Sequence, residues 1–561
     1  MRRLSTFCLS CVLTGASALA QQHLFQLAGS TVGDRFGFAV AGLGDVNADG
    51  FPDYAVGAPG ADDIGTDAGK VIVFSGVDGQ ELYTVFGRTS FDEFGWAIAP
   101  IGDLDADQVT DFIVGAPFSD DAGFKSGEAA IYSGKTGTLI RQIAAGGARE
   151  IFGLGVAAAG DVDADGTPDY IIGAHGDNEN GDNSGSARVY SGKTHAILYF
   201  VLGDSPQDFF GQTVAGIGDI DLDGHDDFAV GAPDDDNNGA ESGMCRIFSG
   251  RTGATLKTLN GDAGDDFFGH FVSGAGDVDK DGRPDFIIGA VQFFGLSPKS
   301  GYARVYSGAT FQVIWSFQGS NPSDLFGEPV RGVGDVNGDG HADLLVGMSL
   351  DDRSATNAGR VELYSGKDGS LLFGVNGQRA DAQFGYQIAP LGDINKDGVP
   401  DFIVGAPGDR PLAGNTIATG SVQVVSTGPV ALTSNLHDLS MQDGGTQNLS
   451  LNAGAAMAGK FYLILGSVTG IEPGIDLGAA GLLPLQTDSY TLFTATNPNT
   501  LISNSFGVFD AGGNATATFV LLTGLDPALI GTRFHHAFVV FDLAALQIIG
   551  TSNAVPLVLK H

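Results

Sequence analysis

From Phe36 onward, short apolar runs alternate with polar, glycine-rich breaks, and the same alternation returns along most of the chain. Phe36-Gly37 opens an apolar run that ends at Gly44. Residues 54–59 (Tyr-Ala-Val-Gly-Ala-Pro) form a second run, 70–74 a third with strict alternation, and 81–86 a fourth. The breaks between them are an acidic stretch at 45–53, a polar stretch to about Gly69, and Ser75-Gly76-Val77-Asp78-Gly79. Apolar runs of this length bounded by turn residues predict four short strands joined by tight turns.

The unit then repeats in step. Phe-Gly pairs stand at 36, 94, 152, 210, 268, 326 and 384, every interval being 58 residues. Gly-Ala-Pro closes the second run at 57, 115, 231 and 405, with variants at 173, 289 and 347. The Ser-Gly turn recurs at 75, 133, 191, 249, 307 and 365. Seven units of four short strands predict an all-β fold, a seven-bladed β-propeller. An open solenoid is the weaker reading, because its end units would need a different, capping composition. The last unit has three strands only, and residues 24–29 precede Phe36 as 81–86 precede Phe94. The N-terminal strand is therefore predicted to complete the blade formed by 384–426, which removes an exposed seam of unpaired backbone.

The acidic break carries the candidate chemistry. Oxygen side chains fall at positions 1, 3, 5 and 9 of each loop: Asp45, Asn47, Asp49 and Asp53; Asp103, Asp105, Asp107 and Asp111; Asp161, Asp163, Asp165 and Asp169; Asp219, Asp221, Asp223 and Asp227; Asp277, Asp279, Asp281 and Asp285; Asp335, Asn337, Asp339 and Asp343; Asp393, Asn395, Asp397 and Asp401. Hard oxygen donors at alternate positions, with a carbonyl at position 7 and a glycine at position 6 for the sharp turn, suit Ca2+. Mg2+ is disfavoured, since it keeps several waters in its shell. An EF-hand is excluded: no Glu stands at position 12, and a strand follows at once. The second loop has Gln108 where the others have glycine, so its site is expected to be the weakest of seven. The ion is read as structural, clamping the turn and relieving carboxylate repulsion.

The Phe-Gly start, the Asp-x-Asp/Asn-x-Asp-Gly-x-x-Asp loop (Gln in the second) and the Gly-Ala-Pro ending resemble FG-GAP repeats. These are the units of the integrin α N-terminal propeller and of secreted bacterial proteins. The likeness covers residues 23 to about 427, roughly seven-tenths of the chain. It implies seven blades with calcium in the loops between first and second strands. Animal integrins usually keep such loops in only some blades, whereas all seven have one here. No leg domains or membrane anchor are seen, so cell adhesion is not carried over with the fold.

Composition narrows the partners. Acidic residues outnumber basic ones 66 to 28, for a net charge of −38. That disfavours nucleic acid and anionic membranes and suits cations. The 28 ligand positions less three Asn supply 25 of the 66 acids, and seven divalent ions would offset about 14 charges. Arg2-Arg3, the apolar run to Ala20 and Ala18-Leu19-Ala20 read as a signal peptide over 1–20, cleaved near Ala20, placing the product outside the cell, at its surface or in a periplasm. The remainder keeps only Cys245, so no internal disulfide is expected. No later run is long enough to span a membrane as a helix.

Strand parity puts the acidic loops and Ser-Gly turns on one face. The irregular second-to-third loops fall on the other, where a protein or glycan partner is expected. Candidates there are Asp120, Asp121, Asp234, Asp235, Asp236, Phe293 and Phe294. Residues 21–428 are read as the propeller and 429–561, with strands near 461–465, 489–494, 515–522, 536–541 and 554–559, as a small β-sandwich. No nucleophile elbow, His-Glu-x-x-His or phosphate loop occurs. The favoured reading is a secreted, monomeric, calcium-binding propeller for binding, adhesion or surface interaction. The alternative is a hydrolase or lyase acting on polysaccharide at the face opposite the acidic loops.

Overall fold

The computed structural model describes residues 22–426, apart from 293–298, 397 and 412–417, and beyond 430 a series of strands and short segments. The segment 1–20, Asp397, Phe293 and Phe294 lie outside the described residues.

Seven four-stranded antiparallel sheets follow one another along the chain. The first is Ala39–Gly44, Asp53–Ala58, Lys70–Phe74 and Glu81–Phe86, paired in that order. The last consists of Gln387–Gly392, Asp401–Ala406 and Ser421–Ser426, with Gln22–Ala28 as its fourth strand, Ala28 lying opposite Ser421. The predicted closure is therefore observed. The first strands touch in succession around the ring, and the first blade's meets the last blade's, so the array is closed and not a rod.

Burial follows the patterning. The second strand of every blade is buried along its whole length, matching its unbroken apolar run. Fourth strands are mostly half-buried or exposed. The cores lie between blades. Val71 and Val73 pack with Phe94 and Phe112 of the next sheet, and Tyr54 and Val56 pack with Ile403 and Val424 across the closure.

The two motif glycines explain one another. Within a blade, the Phe-Gly glycine donates its N–H to the carbonyl of the Gly-Ala-Pro glycine, as Gly95 does to Gly115 at 3.1 Å. Between blades, the Gly-Ala-Pro glycine has no room for a side chain. A Cβ at Gly115 would overlap the carbonyl oxygen of Gly153, one at Gly231 that of Gly269, and one at Gly405 that of Gly37 across the closure. Backbone against backbone sets the blade spacing, and no side-chain movement can relieve the overlap. Gly115→Ala should cost about 3 kcal/mol or more, read as a drop in the urea midpoint at unchanged slope.

Beyond residue 430, two sheets share one core. Ala431–Ser434, Gly445–Asn452, Asn514–Leu521 and Ile502–Ser503 form one. Phe461–Ser467, Arg533–Asp542 and Val555–Lys560 lead the other. Leu449, Leu451 and Phe519 pack against Ile464, Phe538 and Leu557 between them. This is the predicted β-sandwich, with two corrections. Ala431–Ser434, Gly445–Asn452 and Ile502–Ser503 are strands not foreseen. The strand expected at 489–494 is not one in its described part: Thr491, Thr494 and Ala495 are helical, and Thr494 Oγ1 donates back to the Thr491 carbonyl at 3.0 Å. That bond suits a helical turn.

Candidate metal centres and the opposite face

Each acidic loop curls around its own carboxylates. In the first loop, Asp45 Oδ1 accepts from Asp49 N at 3.0 Å and Asp45 Oδ2 from Gly50 N at 2.8 Å. Asn47 Oδ1 also takes Asp49 N at 2.8 Å, and Asp49 Oδ1 takes Phe51 N at 2.9 Å. The turn needs two left-handed residues. Position 6 is one, with φ of 90° at Gly50; position 4 is the other, with φ of 59° at Ala48, and the same holds at Ala106, Ala164, Leu222, Lys280, Gly338 and Lys396. The sequence pattern exposed only the glycine. Gln108 adopts the same conformation, φ 70°, and its loop keeps the two bonds to the first aspartate, Asp107 N to Asp103 Oδ1 at 3.1 Å and Gln108 N to Asp103 Oδ2 at 2.8 Å. The loop thus has a non-glycine residue at both left-handed positions, Ala106 and Gln108. Gln108→Gly should raise stability by about 0.5–1 kcal/mol, measured from denaturant midpoints in chelator.

The ninth residue differs from the rest. Asp53, Asp111, Asp169, Asp227, Asp285, Asp343 and Asp401 are all fully buried. Asp169 Oδ2 accepts from Val162 N at 2.8 Å and Asp163 N at 3.2 Å, and Asp169 Oδ1 from Gly192 N at 2.8 Å. Gly192 belongs to the Ser-Gly turn, so this carboxylate ties the acidic loop to the turn beside it, and both lie on one face as parity requires. Burial pushes the carboxyls of Asp53, Asp111, Asp169, Asp227, Asp285 and Asp343 up to about 6, against the backbone N–H groups that hold them down.

Loops two to five bring the carboxylates of positions 1, 3 and 9 within 4.8 Å of one another: Asp103, Asp105 and Asp111; Asp161, Asp163 and Asp169; Asp219, Asp221 and Asp227; Asp277, Asp279 and Asp285. An ionised carboxylate has about four lone-pair directions, so the backbone bonds leave capacity for a cation. Asp277 Oδ1 is buried with no hydrogen-bond partner among the described residues, which suits a cation ligand. An all-oxygen donor set fits a hard cation. Position 5 is not drawn into these groups. Its outer oxygen instead faces the lysine of the Ser-Gly turn in two blades, Asp107 with Lys135 at 3.9 Å and Asp165 with Lys193 at 3.6 Å. Position 7 ties successive loops together: His225 Nδ1 lies 2.7 Å from the Val162 carbonyl, and Arg283 donates to the Ile220 carbonyl at 2.7 Å.

On the opposite face, the described acidic candidates are mainly turn formers. Asp120 Oδ1 accepts from Lys125 N at 2.7 Å and Asp236 Oδ1 from Glu241 N at 2.8 Å. Asp121 pairs with Arg88. Asp234 is half-buried, and burial beside Glu241 and Asp236 pushes it up to about 6. Asp235 is buried, not presented at the surface, and gathers with Asp204 and Asp208. Sequence reading missed that gathering, and it missed a cavity at the channel mouth described below.

Fold and loops together define a closed seven-bladed propeller with acidic clusters able to hold metal on one face. Family models agree. The FG-GAP-like repeat matches residues 277–346 and 335–404, and the FG-GAP repeat matches 36–74 and 384–425. The chain thus carries FG-GAP-type repeats, matched at residues 36–74 and 277–425, on a β-propeller fold. Among its relatives, integrin alpha-V of Gallus gallus is 32% identical over 150 residues, 26% of this chain and 14% of that protein. Integrin alpha-IIb of Homo sapiens is 34% identical over 176 residues, 28% of this chain and 16% of that protein. The chain therefore spans less than a fifth of those relatives' length. A solved europium-containing methanol dehydrogenase aligns over 72% of this chain and 93% of its own at a TM-score of 0.40 and 9% identity, too loose a likeness to carry any argument. Among the described residues, no helix is long and apolar enough to cross a membrane.

Proposed function

We propose that this chain is an extracellular, calcium-stabilised binding propeller of adhesion or surface-interaction type. One face is clamped by ions, and the other takes a protein or glycan partner. The unit that binds would be 21–428, exported behind the leader at 1–20, with 429–561 as a separate module. The carrying observation is the division of labour between faces. The acidic loops repeat with one geometry in blade after blade, which is what a scaffold needs. The opposite loops keep one length in the first six blades but vary in composition from blade to blade, which is what recognition needs. The integrin relatives agree with a binding role.

Surface-captured full chain, probed with a glycan array and with defined extracellular proteins in calcium and in chelator, tests this reading. Retention of at least one partner in calcium, lost on chelation and without turnover, supports it. Depolymerisation of a bound polysaccharide would replace it with the hydrolase or lyase reading.

A further inference from the structure

The residue after each Phe-Gly pair lines the mouth of the central channel, one from each blade. The Phe-Gly end of a first strand is the end away from its acidic loop, so this mouth opens on the face opposite those loops. A cavity of about 230 Å³ sits there, lined by the starts of all seven first strands. It is smaller than the roughly 300–1,000 Å³ of drug-sized sites, so it suits a single ring.

Its wall is divided. Blades seven, one and two contribute Tyr386, Phe38 and Trp96, with Phe38 4.9 Å from Tyr386 and 4.6 Å from Trp96 between ring centroids. Blades four, five and six contribute Gln212, His270 and Glu328, with Arg331 beside them. Glu328 takes a hydrogen bond from Ser349 Oγ at 3.2 Å, and Arg331 donates to the Val330 carbonyl at 2.9 Å and to Gln387 Oε1 at 3.4 Å. Burial pushes Glu328 up to about 7 and Arg331 down to about 10, and no opposite charge offsets either. Polar groups in such a wall need hydrogen-bonding partners. The aromatic wall continues outward. Trp96 lies edge-on to Phe118 at 5.3 Å, Lys125 sits over Phe118 and Phe124, and Phe124 is 59% exposed.

We infer that the channel mouth is a saccharide-binding site, which takes one pyranose unit at the end of a neutral glycan. The ring's apolar face lies against Trp96 and Phe38. Its hydroxyls meet Glu328, Gln212, Gln387 and Arg331, and the next units run out over Phe118 and Phe124. A neutral, polyhydroxylated ring has the same two-sided character as the cavity. A cationic side chain would meet Arg331, and an anionic group would meet Glu328. The inference rests on the binding reading above and names its ligand class.

The chain has two tryptophans. Trp315 donates to the Gly366 carbonyl of a Ser-Gly turn at 2.6 Å, on the acidic-loop face. A full-length Trp315→Phe variant therefore makes Trp96 the sole reporter. Titration with neutral hexamers of glucose, mannose, galactose and N-acetylglucosamine should give a saturable change in Trp96 emission with at least one. Phe38→Ala and Glu328→Gln should weaken it at least tenfold, and Phe124→Ala about twofold. Gln387→Ala serves where Phe38→Ala fails to fold. Glycan retention unmoved by these variants would overturn the site while leaving a binding propeller. Response to an arginine-bearing peptide but to no glycan would overturn the ligand class. Retention of a protein partner with no Trp96 response to any sugar would sink this inference alone, whereas depolymerisation would sink the binding reading.

Discussion

Chelating calcium from the full chain should lower its melting temperature by about 15 °C or more, and restoring the ion should reverse the change. A ligand that binds only the folded state adds roughly 2.7 kcal/mol at a hundredfold excess over its Kd. Seven such sites give about 19 kcal/mol, and a propeller of this size shifts by about 1 °C per kcal/mol. The pH dependence should separate the two states. The ninth carboxyls stand at about 6 in the folded, ion-free chain, above the ordinary value near 4. The folded state then binds more protons than the unfolded between about pH 4 and 6. In chelator, stability contributed by these groups is present below pH 4 and is lost as pH rises through 6. Calcium bound at these carboxylates would displace those protons, so its stabilisation should grow over the same window. Calorimetry at pH 4.5 and 7, with and without chelator, reads both. A melting temperature indifferent to calcium at pH 7 would remove the ion from the account of stability.

Much of the fold was legible because the repeat is strict. A constant blade length, a Phe-Gly start and a missing fourth strand led to ring, blade count and closure without any three-dimensional information. The acidic loops were legible for the same reason: ligand spacing is a local property, and seven copies remove ambiguity. What escaped depends on neighbours distant in sequence. The overlap between Gly115 and Gly153 belongs to two blades, and neither motif alone reveals it. The channel-mouth ring escaped because its residue changes at every repeat, from Phe38 and Trp96 to Gln212 and Glu328, so a search for sameness passes over it. Asp235 looked like a surface acid because its loop is polar, yet the chain turns it inward against Asp208. Burial was the missing information in that case, as it was for the ninth carboxylate. Spacing marked that residue as a ligand but gave no sign of its second task.

That second task sets the other large effect. Asp169→Ala removes the acceptor for three backbone N–H groups, those of Val162, Asp163 and Gly192. A buried donor left unsatisfied costs about 1–3 kcal/mol, and water can reach only the half-buried Asp163 N–H, so the loss should be about 3–5 kcal/mol. These bonds need no ion, so most of the loss should persist in chelator. Asp163→Ala provides the contrast. Asp163 lies at the half-buried third position, where its Oδ1 accepts one bond, from Asp165 N at 3.1 Å. It should cost less than about 1 kcal/mol in chelator and several times more in calcium. Urea midpoints for both variants, each with and without calcium, give a cycle in which metal ligation and turn bridging are read separately. If the two variants lose the same stability in chelator, the ninth carboxylate is a metal ligand and nothing more, and the tie between acidic loop and Ser-Gly turn carries no energy of its own.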